Sequence, residues 1–102
     1  MESEIEVNGR TYRKIEPVES RPLRICILER GRIVVGRVTL EDNYLVIHDA
    51  SCIRRWGTTA GLGEIATGGP TADTVLDPQP TTRVHELRVV EQIDCEVTSW
   101  NK

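Results

Sequence analysis

Between Leu23 and His48 the chain falls into three short apolar runs separated by turn signals. Leu23 to Glu29 ends at Arg30-Gly31, Arg32 to Leu40 ends at Asp42-Asn43, and Tyr44 to His48 follows. Runs this short and this rich in Ile and Val, joined by tight turns, predict consecutive antiparallel strands. Gly36 lies inside the middle run, where a glycine signals a bulge or a close backbone approach. The rest of the chain has to be arranged around this meander, taken as residues 23–56.

The material for a core agrees with that reading. Phe is absent, and the aromatics are Tyr12, Tyr44, Trp56 and Trp100. Val, Ile and Leu must therefore fill the interior, and branched side chains suit a pleated surface. At 102 residues the chain is one domain with a modest core. A thin core favours a homo-oligomer, in which subunit contact buries what a monomer leaves exposed.

Ahead of the meander, Glu4-Ile5-Glu6-Val7 alternates, Asn8-Gly9 offers a hairpin turn, and residues 10–15 return. This amino-terminal hairpin, 4–15, reads as a lid, an arm on a neighbouring subunit, or edge structure. Behind the meander, Asp49-Ala50-Ser51 redirects the chain. Ser51 to Trp56 reads as a further strand with Cys52, Arg54 and Trp56 on one face and Arg55 on the other. A short helix is predicted over 61–67, with Gly61 as N-cap, Glu64 as half of a capping box, and Gly68-Gly69-Pro70 as its stop. Residues 68–82 read as a loop with an extended piece at Thr74-Val75-Leu76, and 83–97 as closing strands with a bulge or turn near Glu91. Trp100 is expected to be anchored, in an intersubunit groove or in a surface cluster. The fold class is mainly β: a small antiparallel curled sheet or barrel with one short helix.

Several function classes fall away. Net charge is −3, so no basic stripe presents itself to duplex nucleic acid. Cys26, Cys52 and Cys95 are odd in number and widely spaced, which reads as cytosolic thiols without a disulfide framework. No ligand spacing for zinc occurs, and no metal or other cofactor is expected. The acidic amino terminus is unlike an export signal, and no apolar run is long enough to span a bilayer; the expected location is the cytoplasm. The common glycine loops that cradle nucleotide phosphates are absent. His48 and His85 stand apart from any Ser or Cys that would serve as a nucleophile, so no catalytic residue is assigned.

One stretch concentrates binding chemistry. Arg54-Arg55-Trp56 is followed by Gly57-Thr58-Thr59-Ala60-Gly61 and then the helix. Guanidinium forks fit phosphate, an indole stacks on a base, and small residues expose backbone N–H groups and hydroxyls. The candidate ligand-binding residues are Arg54, Arg55, Trp56, Thr58 and Thr59. The structural alternative makes Trp56 a core aromatic, pairs the arginines with acids, and leaves the threonines to cap the helix.

Over residues 24–96 the chain resembles a family of small phage and prophage proteins long catalogued as a domain of unknown function. The resemblance is carried by Val34-Val35-Gly36-Arg37-Val38, Ala50-Ser51-Cys52-Ile53-Arg54-Arg55-Trp56-Gly57, Leu62-Gly63-Glu64-Ile65-Ala66 and Ile93-Asp94-Cys95. Members read Ala-Arg-Arg-Ile-Trp-x-Trp; here the arginines follow the isoleucine and one tryptophan, Trp56, remains. The resemblance implies a phage setting. By analogy it implies a counter-defence sponge, which sequesters a cyclic-nucleotide or cyclic ADP-ribose-type signal without cleaving it. Its partners would be that small molecule and further copies of the chain. The alternatives are an inhibitor that blocks a host protein with its surface and an enzyme that degrades a cyclic nucleotide.

Overall fold

The structure is a computed structural model that describes residues 20–100 in full and, ahead of them, the backbone of two short strands. Those strands, β1 (Glu4–Val7) and β2 (Arg10–Arg13), pair antiparallel with Glu4 opposite Arg13. The Asn8-Gly9 turn expected between them, and residues 14–15, lie outside the described residues.

The body is a six-stranded antiparallel sheet. It comprises β3 (Leu23–Leu28), β4 (Ile33–Glu41), β5 (Tyr44–Arg55), β6 (Val75–Pro78), β7 (Thr82–His85) and β8 (Val89–Asp94), with one helix, α1 (Leu62–Gly68). The first two turns of the meander are where the sequence puts them. Arg30, Asp42 and Asn43 adopt positive φ there, which short polar side chains and turns tolerate best.

β5 is the spine. It pairs with β4 along one side; on the other it meets β7 through Tyr44 to Ile47 and β6 through Ser51 to Arg55. Asp49-Ala50-Ser51 does not end a strand, as the sequence suggested. The ladder steps from Val35 opposite Ser51 to Arg37 opposite His48, so Asp49 and Ala50 together face Gly36. This is a bulge, with Asp49 at φ 50. It lets a twelve-residue strand bend and stay continuous. Gly36 is the residue that permits it: a Cβ there would lie 2.6 Å from the His48 carbonyl oxygen.

The predicted closing segment, 83–97, is two strands that part company. β7 adds to β5 and β8 adds to β3, on opposite margins of the sheet. Only the 3-10 turn Glu86–Arg88 separates them in sequence, so the two margins must approach each other. The sheet therefore curls, and of the two architectures expected it is the curled sheet, not a closed barrel. The 68–82 stretch holds β6, one residue on from the extended piece expected at 74–76.

Curling gives the sheet two apolar faces. On one, Leu62, Ile65 and Ala66 of α1 cover Leu23, Ile25, Val35 and Ile53, and Trp100 completes the cluster. Spacing at i, i+3 and i+4 supplies the helix with that stripe. On the inner face Cys26, Val34, Val38, Leu45 and Ile47 pack together, and Val84 and Val89 reach them from the two margins. Trp100 is 6% exposed and its indole N–H donates to the Ala66 carbonyl at 3.1 Å, so within this chain it is a core residue. All three cysteines are free thiols.

Candidate functional site

The end of β5 delivers the arginines and the tryptophan, but not on the faces that simple alternation predicts. Cys52 pairs with Asp77 and Ile53 with Leu76, yet Arg55 pairs with Val75, so a second bulge falls at Arg54. Paired residues share a face, and Val75 and Asp77 are two apart on β6. Arg55 therefore stands on the Asp77 face. Arg54 stands there too, with its Nε 2.8 Å from the Asp77 carboxylate. The expectation that Arg55 would cross the sheet is corrected: the inserted residue shifts the phase, and both guanidiniums share one side.

A third arginine joins them. Arg32, at the start of β4, donates to the side-chain oxygen of Gln79 at 3.0 Å. Gln79 continues β6 through its N–H bond to Ala50 and lies two residues beyond Asp77, on the same face. Arg32 thus engages the Gln79 amide and Arg54 the Asp77 carboxylate, on the face that Arg55 shares. Arg55 makes no ion pair among the described residues. The Arg54–Asp77 pair is two-thirds exposed on the arginine side and half exposed on the aspartate side. Such a pair contributes only about 0–1 kcal/mol, so an incoming phosphate with two charge-assisted bonds competes with it well.

Trp56 leaves the sheet 39% exposed, with its carbonyl taking a 2.6 Å bond from the Thr74 hydroxyl. Thr71 does the same for Gly57 at 2.7 Å. The 71–74 turn therefore clamps the chain just where it enters the small-residue loop. Gly57 has φ 71, and a Cβ on it would sit 2.4 Å from the Asp73 carbonyl carbon, so no other residue fits under that clamp.

A cleft of about 330 Å³ opens beside the loop, lined by Gly57, Thr58, Thr59, Glu64 and Thr71. Its donors are already engaged. The Glu64 carboxylate takes the N–H groups of Thr59 at 3.0 Å and Ala60 at 3.2 Å, and the Thr59 hydroxyl at 3.2 Å. Thr58 turns its hydroxyl to the Ala60 carbonyl. Glu64 is the third helical residue reaching back, as in a capping box, but it passes the N-cap to close the loop. A phosphate in the loop would have to displace this carboxylate. The arginine face, not the loop amides, is the part of the site open to an anion.

The Ala60 N–H, with lesser help from the Thr59 and Thr58 groups, holds the Glu64 pKa below its ordinary value of 4.5. A lowered folded-state pKa stabilises the fold above the unfolded value, and that contribution is lost as pH falls through the folded one. The Glu64→Gln variant is expected to be less stable than the parent at pH 7 and to lose that deficit in acid, below the ordinary carboxylate range. Urea melts of both proteins at pH 7 and in strong acid check this; a deficit that does not shrink in acid would remove the carboxylate from the account.

The other reactive groups are engaged or buried. His85 Nδ1 accepts the Leu87 N–H, and its ring meets Tyr44 edge-on at 5.3 Å. His48 lies 3.3 Å from the Thr39 hydroxyl, and partial burial, then the charge of Arg21, lower its pKa. Burial pushes the Cys26 thiol up to about 12 and Cys95 up to about 11, far from a reactive thiolate. Among the described residues no three His, Cys, Asp or Glu side chains gather as a metal site, and no helix is long and apolar enough to cross a membrane.

The chain matches no family model, no curated protein and no solved structure.

Proposed function

We propose that the protein is a non-catalytic binder of a phosphorylated, nucleotide-type signal molecule, which it sequesters without cleaving. The observation that carries this reading is the bulge at Arg54, which sets Arg54 and Arg55 on one face of the sheet, directly before a part-exposed Trp56 in the chain. In this reading the guanidiniums grip phosphate, displacing Asp77, and Trp56 stacks on the base. Thr58 and Thr59 border the cleft that takes the sugar, where their hydroxyl oxygens remain acceptors. The resemblance to small phage proteins suggests the biological setting, a cyclic-nucleotide or cyclic ADP-ribose-type immune signal removed from a host cell.

The test is native mass spectrometry after mixing with cyclic dinucleotides and cyclic ADP-ribose isomers. Intact ligand mass in a fixed ratio to protein is the expected result. The Arg54→Ala/Arg55→Ala double variant should lose at least about 100-fold in affinity, as two charged hydrogen-bonding groups imply, with its assembly mass unchanged. Both side chains are exposed, so the variant should fold normally. A parent protein that retains no member of the panel would refute the reading.

A further inference from the structure

The Asp77 carboxylate shows how an anion sits on the arginine face. It takes a fork from Arg54, with Nε at 2.8 Å and Nη2 at 3.4 Å, the two-point contact that phosphate also accepts. Two residues on, Gln79 plays the same part for Arg32 with a neutral oxygen, 3.0 Å from Nη2. That oxygen is aimed by the rest of its own amide. The Gln79 side-chain nitrogen donates to the Thr82 hydroxyl at 2.6 Å, and the Thr82 hydroxyl donates to the Pro80 carbonyl at 3.0 Å. Asp77 and Gln79 are thus two acceptors on one face of one extended segment, about 6.5 Å apart along it. Each engages one guanidinium, Arg54 from β5 and Arg32 from the start of β4. Arg32 makes no ion pair among the described residues and stands exposed. An anion arriving there displaces a neutral oxygen, a weaker competitor than the carboxylate on Arg54.

We infer that Arg32 takes a second phosphate, and that the ligand is therefore a cyclic dinucleotide, whose two phosphates are held apart by the riboses of its ring. The inference rests on the binding function proposed above and narrows its ligand class. One phosphate replaces Asp77 on Arg54, on the face that Arg55 shares; the other replaces the Gln79 oxygen on Arg32. A cyclic mononucleotide has a single phosphate and leaves Arg32 with Gln79. Phosphates bridged by one oxygen, as in a cyclic ADP-ribose, lie too close together to occupy both anchors. Arg32 is thus the residue that distinguishes two separated phosphates from one phosphate or an adjoining pair. Gln79 sets the terms of that choice, because a neutral partner keeps the Arg32 charge uncompensated until the ligand arrives.

Calorimetric titration of the full chain tests this, with cyclic di-AMP and cyclic di-GMP, with cyclic AMP and cyclic GMP, and with cyclic ADP-ribose. A cyclic dinucleotide is expected to bind more tightly than the mononucleotide of the same base and than cyclic ADP-ribose. Arg32→Ala should raise the dinucleotide Kd about 10-fold or more, the worth of a hydrogen bond to a charged group, and leave the other ligands within about 2-fold. The side chain is exposed, so this variant should fold normally. Gln79→Glu, which gives Arg32 a carboxylate to pair with, should weaken the dinucleotide more than the mononucleotide. A parent that prefers cyclic ADP-ribose or a mononucleotide overturns the inference and leaves the binding function standing. So does an Arg32→Ala variant that keeps the parental dinucleotide affinity or weakens all ligands alike. A parent that binds none of these ligands overturns both.

Discussion

Replacing Trp100 by Ala is expected to cost about 3–5 kcal/mol of stability, the range for emptying a large aromatic from a packed core. The indole is 6% exposed and lies in the cluster that α1 makes with β3, β4 and β5. It reaches this place because the chain after β8 is strapped to the helix. Cys95 N–H donates to the Leu23 carbonyl, Glu96 N–H to the Ala66 carbonyl, and the indole N–H joins the second at the same oxygen. Removing the ring leaves α1 without one side of its socket. Domains of this size have about 5–10 kcal/mol in total, so the variant should be near the edge of folding at 37 °C. Trp100→Phe separates the contributions: it keeps most of the apolar contact and loses the donor, for about 1–2 kcal/mol. Urea denaturation of the three proteins reads both values. A loss under 1 kcal/mol for Trp100→Ala would mean that the indole does not sit in this core.

Gly36→Ala is the second large effect, at about 3 kcal/mol, and it works through the bulge. The added methyl carbon would lie 2.6 Å from the His48 carbonyl oxygen and equally close to the Ile47 Cγ2 atom. Ile47 can turn at some expense, but the carbonyl is part of the β4–β5 ladder and can move only if the bulge opens. Gly63→Ala is the control. It adds the same methyl on the exposed side of α1, where nothing lies within 4 Å. There a better helix former should stabilise by about 0.5–1 kcal/mol. Thermal melts of the two variants should move in opposite directions. Equal and small shifts would show that Gly36 is not held against β5.

The meander was legible because its signals are local. Arg30-Gly31 and Asp42-Asn43 are turns by their own chemistry, and Leu62, Ile65 and Ala66 form a helical stripe by spacing alone. Even Gly36 pointed to the bulge it permits. What the sequence withheld depends on register. Alternation set Arg54 beside Trp56 with Arg55 opposite, and one inserted residue against β6 puts both arginines on one face instead. Arg32 was passed over because nothing near it in sequence marks it. Its place beside Arg54 follows only from the antiparallel register, which sets Val34 against Cys52. The split of β7 and β8 to opposite margins was hidden for the same reason, since each pairs with a strand far away in the chain. Glu64 was read as a cap, and only the geometry reveals that it also fills the loop that seemed ready for a phosphate.

The bulge at Asp49 divides β5 into two halves, each with its own edge strand: β7 on one and β6 on the other. Either edge can peel away without the other, since they hold different stretches of the same neighbour. Amide protons should record this as three layers of exchange. Those donated along the two edge ladders open first and independently, and those between β4 and β5 open only when the whole sheet comes apart. Asp77, the counter-ion of Arg54, rides on one of the edges that opens early. The β4–β5 ladder stops at Cys52, so Arg54 and Arg55 are paired through the β6 edge alone. Peeling that edge would release together their counter-ion and the bulge that sets the two guanidiniums on one face.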